Sequence, residues 1–204
     1  MIHKFLFSFI AVILISMPSS VIAWGWGQDG DVRSVVGETR GDVTFEPFDV
    51  GTGPCAESPP APDPLPPIAL PPTLANIQTK THQAGWLKGI GWVAVETKHC
   101  AEGPFAKNGE VMLHARRGTI EGFYESETID LVGPEPQPPF FLPDTGSVLI
   151  QAGAYVITGG TGRYEGVIGR LEFQVIVTVG EWGYAEDLTW TIRQVIAGHI
   201  QFPE

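Results

Sequence analysis

From Arg170 to Val179 the chain alternates without a break. Leu171, Phe173, Val175, Val177 and Val179 fall on one side of an extended backbone, and Arg170, Glu172, Gln174, Ile176 and Thr178 on the other. A repeat of two is the signature of a strand with one buried and one wet face, and wrapping it on a helix would scatter the apolar residues around the axis. The pattern recurs. Leu188, Trp190, Ile192, Gln194 and Ile196 alternate with Asp187, Thr189, Thr191, Arg193 and Val195. Val111, Leu113 and Ala115 alternate with Met112, His114 and Arg116; after a turn at Arg117-Gly118, Ile120, Gly122 and Tyr124 alternate with Thr119, Glu121 and Phe123, which predicts a hairpin. Val148 to Ile157 is apolar on both sides. Trp86 to Thr97, interrupted by Gly89 and Gly91, reads as one kinked strand, and Val43-Thr44-Phe45 with Phe48 and Val50 as a strand whose alternation changes phase at Pro47.

No long window carries a helical stripe, so the fold class is all-β. About seven strands with glycine-rich turns fit either an antiparallel closed barrel or a β-sandwich. Glycines inside the strands, at Gly89, Gly91 and Gly153, favour the barrel, because closing a sheet demands sharp bends and tilted strands.

The composition breaks mark four regions. Residues 1–23 read as a signal peptide: Lys4 precedes an apolar run from Phe5 to Met17, Pro18 ends it, and Val21-Ile22-Ala23 is a small-residue cleavage site. The run is short for a membrane span, and no basic stop-transfer cluster follows. The expected mature protein starts at Trp24, keeps no integral membrane anchor, and is exported to the periplasm or the extracellular space. Residues 24–53 form an N-terminal segment with one strand. Residues 54–72 hold nine prolines and form an extended connector. Residues 73–204 form the barrel domain. A second proline cluster from Pro134 to Pro143 flanks Phe140-Phe141, which reads as a lid on the core.

Charge and cysteine count narrow the function classes. With 12 Lys and Arg against 23 Asp and Glu, the chain lacks the clustered cations that nucleic acid requires. Cys55 and Cys100 are an even pair in an oxidising compartment, so a single disulfide is the default. Neither has a partner at zinc-ligand spacing, and no metal site is expected.

The run Val156 to Gly169 places Gly160, Gly162 and Gly166 after a strand with dinucleotide-like spacing. A phosphate cradle needs a helix N-terminus directly after the glycines. Here a strand follows, and no Lys-Ser/Thr completes a P-loop, so no nucleotide or other cofactor is expected. Gly160 and Gly162 are expected to hold positive φ in a tight strand connection.

The same run, Tyr155 to Gly169 with Gly159-Gly160-Thr161-Gly162 at its centre, resembles the signature of the allene oxide cyclase barrel-like proteins, a group that also takes in plant dirigent proteins and small exported bacterial proteins. Thr81-His82-Gln83-Ala84-Gly85 and Ala197-Gly198-His199-Ile200 stand at the places of two further elements, whereas Ala115-Arg116-Arg117-Gly118-Thr119 departs from the Asn- and Asp-containing turn of the bacterial branch. The resemblance covers roughly residues 78 to 202. It implies an eight-stranded, lipocalin-like barrel with a lumen. It implies no activity, since the group includes a cyclase, stereochemistry-guiding proteins and orphans, and the acidic residue of the plant cyclases matches no position in this chain.

Candidate ligand-lining residues are the strand aromatics Trp86, Phe123, Tyr155 and Trp190, with Trp92 beside them. His82, His114, His199, Glu121 and Glu125 are the candidate acid/base groups. His114 and Glu121 lie on the rows opposite the more apolar ones, which places them on the wet exterior, so no catalytic residue is assigned and enzyme activity stays open. Three functions follow: a barrel that binds a small apolar ligand in its lumen, a cyclase or isomerase that works by confining its substrate, or a structural or interaction protein with a filled barrel, which could pair as a homodimer.

Overall fold

A computed structural model describes residues 31–46, 77–102, 105–132, 146–180 and 190–203. Eight strands form one closed antiparallel barrel in chain order: β1 (Val32–Glu46), β2 (Ile77–Lys88), β3 (Gly91–Glu102), β4 (Phe105–Ala115), β5 (Gly118–Val132), β6 (Val148–Gly160), β7 (Ile168–Thr178) and β8 (Trp190–Gln201). Each strand pairs with its sequence neighbour, and β1 closes the ring by pairing with both β2 and β8. The sandwich alternative is therefore set aside.

The alternation places the side chains as the sequence suggests. Along β7 every second residue is buried, with Leu171, Phe173, Val175 and Val177 inside and Arg170, Glu172, Gln174 and Ile176 outside. β8 does the same with Trp190, Ile192, Gln194 and Ile196 inside.

Two boundaries differ from the sequence reading. The stretch from Trp86 to Thr97 is two strands, because Gly89 and Gly91 take positive φ (93° and 109°) and the chain reverses at Gly89-Ile90. The strand of the N-terminal segment is a stave of the barrel, which thus begins at Val32, ahead of the proline-rich stretch, rather than at residue 73. The leader, the proline-rich connector with Cys55, and Phe140-Phe141 lie outside the described residues.

One end of the barrel is plugged. Between β6 and β7 the chain makes a short 3-10 turn, η1 (Gly162–Tyr164), and Tyr164 and Val167 fold inward over the lumen. Tyr164 packs against Phe202 with ring centroids 5.9 Å apart, and its hydroxyl lies 3.4 Å from the Ile90 carbonyl. Arg33 sits 4.4 Å over the Phe202 ring, and the Phe202 amide donates to the Asp31 carbonyl at 3.1 Å. Beneath this plug Val35, Leu87, Leu113, Ile120, Leu171, Ile196 and Ile200 fill the barrel and are fully buried. Each such side chain contributes roughly 1.5–3 kcal/mol of burial.

The turn excludes a nucleotide cradle, since its helical piece is only three residues long and runs into β7. Gly162 has φ of +61°, as expected for that residue, but Gly160 does not lie in the left-handed region. Gly160 is required for a different reason: a Cβ there would sit 2.1 Å from the Thr119 carbonyl oxygen. Gly162→Val would force a β-branched residue into the left-handed region and against the Arg117 carbonyl, 2.5 Å from the new Cβ. A loss of about 1–3 kcal/mol is expected in chemical denaturation. Gly159→Ala is the control, because nothing lies within 4 Å of its Cβ position; its stability should stay within about 0.5 kcal/mol of wild type. Equal effects at the two positions would mean that the turn does not depend on the geometry of Gly162.

Candidate functional site

Away from the plugged end the inward-facing side chains change character. Strands β2, β3, β5 and β6 turn in Thr79, Thr81, Gln83, Thr97, His99, Tyr124, Ser126, Thr128, Gln151 and Tyr155, while β1, β4, β7 and β8 turn in Val43, Ala106, Val111, Val175, Val177, Trp190 and Ile192. Thr39 and Gln194, register partners across the β1–β8 seam, join the two walls at mid-height. The lumen here is polar on one side and apolar on the other.

The polar groups are linked. Thr39 Oγ1 donates to Gln83 Oε1 at 2.7 Å, Gln83 Nε2 donates to Thr81 Oγ1 at 3.1 Å, and Thr81 and Thr97 share a hydrogen bond of 2.7 Å. Thr97 also bonds the Tyr124 hydroxyl, and Tyr124 Oη lies 2.7 Å from His99 Nδ1. An arrangement in which Thr97 donates to the Tyr124 oxygen while the Tyr124 proton goes to His99 Nδ1 satisfies all three groups. A second pair stands beside this chain, with Gln194 Nε2 donating to Tyr155 Oη at 2.6 Å. Gln194 Oε1 is buried and has no partner.

Aromatic packing fixes the two tyrosines. Tyr124 meets Tyr155 and Phe173 edge-on, at 5.4 and 5.8 Å between centroids, and Tyr155 lies 4.5 Å from Phe173. Such contacts hold rings in one orientation. Gly109 makes the space for Tyr124: a Cβ at that position would fall 2.5 Å from the ring. His99 reaches the layer where β3 and β4 slip register between Lys98 and Cys100.

Burial sets the protonation states. Loss of solvent pushes both phenols far above their ordinary range; for Tyr155 the nearby Tyr124 adds to this, and the Gln194 bond offsets a little of it. Loss of solvent pulls His99 down from 6.5 to about 4. The layer is thus uncharged at neutral pH, since phenols and imidazole all stay neutral.

The aromatics expected to line the lumen divide. Tyr155 and Trp190 do so and are 1% and 3% exposed, whereas Trp86 and Phe123 point outward at 57% and 54%. Outward placement follows from the pleat: Trp86 shares its row with Lys88 and His82, and Phe123 shares its row with Glu121 and Glu125. Trp86 instead packs edge-on against Trp92 on the exterior, at 6.4 Å between centroids. His82, His114, His199, Glu121 and Glu125 all sit on the outer surface. His114 and His82 lie 3.6 and 3.9 Å from Glu96, His199 lies 3.3 Å from Ser34 Oγ, and His114 faces Thr119 across the hairpin rather than Glu121. Among the described residues no group of three or more ligating side chains could hold a metal ion.

Thr39, Gln83, Thr97, His99, Tyr124 and Gln194 were not singled out by the sequence. Their signal is weak but real: on β2 the row Thr79, Thr81, Gln83 is neutral, while the row Lys80, His82 is charged or titratable.

A neutral buried His99 links stability to pH. Between about pH 6.5 and 4 the unfolded chain binds a proton at this residue and the folded chain does not. Stability is therefore fully present above 6.5 and falls as pH drops toward 4, by on the order of 3 kcal/mol. His99→Gln should flatten that part of the stability profile, measured by urea denaturation across the pH range. An unchanged slope would place the titrating group elsewhere.

Compared with known proteins, the chain matches no family description, no curated protein and no solved structure.

Proposed function

We propose that this protein is an exported β-barrel that binds a small, largely apolar molecule in the half of its lumen away from the Tyr164 plug. One observation carries the reading: the amide oxygen of Gln194 is buried in the lumen without a partner, one of two such side-chain atoms among the described residues, the other being Ser147 Oγ near the rim opposite the plug. Native interiors rarely leave such an atom alone, because an unmade buried hydrogen bond costs about 1–3 kcal/mol. Phe173, Val175, Ile192 and Trp190 beside Gln194 offer an apolar seat.

Substrate confinement by a cyclase or isomerase is the second reading, favoured by the His99–Tyr124 contact of 2.7 Å inside the lumen. Binding is preferred on proton affinities. A base near 4 and phenols pushed upward are poorly matched to proton abstraction at neutral pH, where a catalytic group works best with a pKa close to the ambient value. The layer is suited to holding hydrogen bonds still. A filled barrel with a purely structural role would need an internal water at Gln194 Oε1.

The resemblance of Gly159 to Gly162 and its flanks to the allene oxide cyclase barrel-like proteins is part of the same proposal, supported by the eight-strand order and by the tight turn at Gly162. So are export and the Cys55–Cys100 disulfide. Their support is the apolar leader with its Val21-Ile22-Ala23 site, the even cysteine count, and the absence of a free cysteine among the described residues.

Native mass spectrometry of protein recovered outside the cytoplasm tests the binding reading: a small-molecule adduct lost on denaturation is expected. A bare protein mass, with no binding of the neutral probe N-phenyl-1-naphthylamine, would leave the filled barrel standing. Denatured intact mass on the same sample should match a chain beginning at Trp24 with its two cysteines joined. The bridge would close a loop of about 45 residues, worth on the order of 4 kcal/mol. Two thiols free to alkylation without reductant would remove it.

A further inference from the structure

Among the described residues, every side chain that points into the lumen between the two rims is uncharged, in a chain with 12 Lys and Arg and 23 Asp and Glu. Charge is confined to the exterior. An ionic ligand would find no counter-ion inside, and a buried charge without a partner is strongly disfavoured.

Within the polar layer the hydrogen bonds can be assigned one at a time. The register partner of Gln194 across the seam is Thr39, whose proton is committed to Gln83 Oε1. Gln194 Nε2 is committed to Tyr155 Oη. Two functions remain. Gln194 Oε1 lacks a donor, and Tyr155 Oη, which accepts from Gln194, keeps its own proton to donate. They flank a single hydrogen bond of 2.6 Å, so one small group can reach both. That group must donate and accept at once, as a hydroxyl does.

We infer that the Gln194–Tyr155 pair captures the hydroxyl of an uncharged, otherwise apolar alcohol, with Gln194 Oε1 accepting its proton and Tyr155 donating to its oxygen. This rests on the lumen-binding reading and narrows it to a ligand class. A carboxylate would satisfy Tyr155 but set its charge against Gln194 Oε1. A hydrocarbon would leave both groups unmet, and an ether would satisfy only Tyr155. The rings of Tyr155 and Phe173, 4.5 Å apart, together with Val175 and Ile192, receive the apolar remainder of the ligand.

Three probes of equal size separate the cases: 1-octanol, octanoate and 1-methoxyheptane, titrated into the full-length mature protein at about pH 8, where a carboxylic acid is ionised, and followed by amide NMR shifts. Octanol should bind at least about tenfold more tightly than either of the others, as expected from one buried hydrogen bond left unmade. Gln194→Met, close in shape but without the amide, should erase the preference for octanol over the ether. Tyr155→Phe, which keeps the ring packing, should weaken octanol and the ether alike. If octanoate or the ether binds as tightly as octanol, or if Gln194→Met keeps the preference, the inference fails while lumen binding stands. If no probe binds the wild-type protein, the lumen-binding reading fails with it.

Discussion

The structure depends on closing the sheet between its first and last strands. β1 must bond β2 on one edge and β8 on the other, and only then does an eight-stranded sheet have no open edge and a single inside. Closure bends β1 hard. At Gly41 the β2 backbone comes so near that a Cβ would lie 1.8 Å from the His82 carbonyl oxygen, and at Gly85 on β2 one would lie 2.0 Å from the Glu38 carbonyl. Glycine here is required for close approach of two chains, and φ is not the issue. On the outside Arg193 of β8 grips Glu38 of β1 with two bonds of 2.9 and 2.8 Å, aligning the seam where Thr39 faces Gln194 within. An exposed pair of this kind contributes at most about 1 kcal/mol, so it selects register more than it holds the barrel together.

Closure also makes the two ends different. At the plugged end, short turns at Gly89-Ile90 and Arg116-Arg117 and the Gly162 turn let Tyr164, Val167 and Phe202 seal an aliphatic core. Toward the other end the lumen receives threonines, glutamines, His99 and two tyrosines, which would be costly if they were not tied to one another. The apolar half supplies the cohesion that a polar layer cannot. The polar half holds the buried hydrogen-bonding side chains, Gln194 and Tyr155 among them.

How far the sequence discloses this depends on contrast between the two faces of each strand. β7 and β8 are legible because Val and Ile alternate with Glu, Gln, Thr and Arg, and a shift of one residue would bury charge. β2 is not, because Thr79, Thr81 and Gln83 alternate with Lys80 and His82, so both rows are polar and hydropathy alone does not choose between them. Thr79, Thr81 and Gln83 of the polar layer come from such a strand, whereas Gln194 lies on the legible β8 and reads as one polar residue in an apolar row, with nothing to mark it as functional. Trp86 and Phe123 misled for the opposite reason. Aromatic character suggested a wall of the lumen, whereas the charged residues two positions away on each strand already placed both outside. Gly89 and Gly91 marked a real irregularity, but a bend and a full reversal leave the same trace in composition. Of the three glycines that favoured the barrel over the sandwich, only Gly153 lies in the interior of a strand.

The uncharged interior follows from the same closure. A ring of eight strands surrounds its lumen with backbone that is already hydrogen-bonded, leaving side chains as the only source of polarity, and water has little room to screen a charge placed there. Ionisable groups in such a site must either pair or stay neutral. Between the plug, where Arg33 lies over Phe202, and the opposite rim, no described side chain that points inward is an Asp, Glu, Lys or Arg, and the one inward histidine is held neutral by burial. On the binding reading proposed above, selectivity in this lumen would come from the direction of each hydrogen bond rather than from charge. Direction is fixed by neighbours: Thr39 gives its proton to Gln83, so it has none left for Gln194, and Tyr155 takes the Gln194 amide hydrogen, so the carbonyl end of that amide faces the lumen with nothing to accept. A hydrogen-bond network with one acceptor left over is specific in a way that a greasy pocket is not, because any occupant that fails to donate leaves that acceptor unsatisfied.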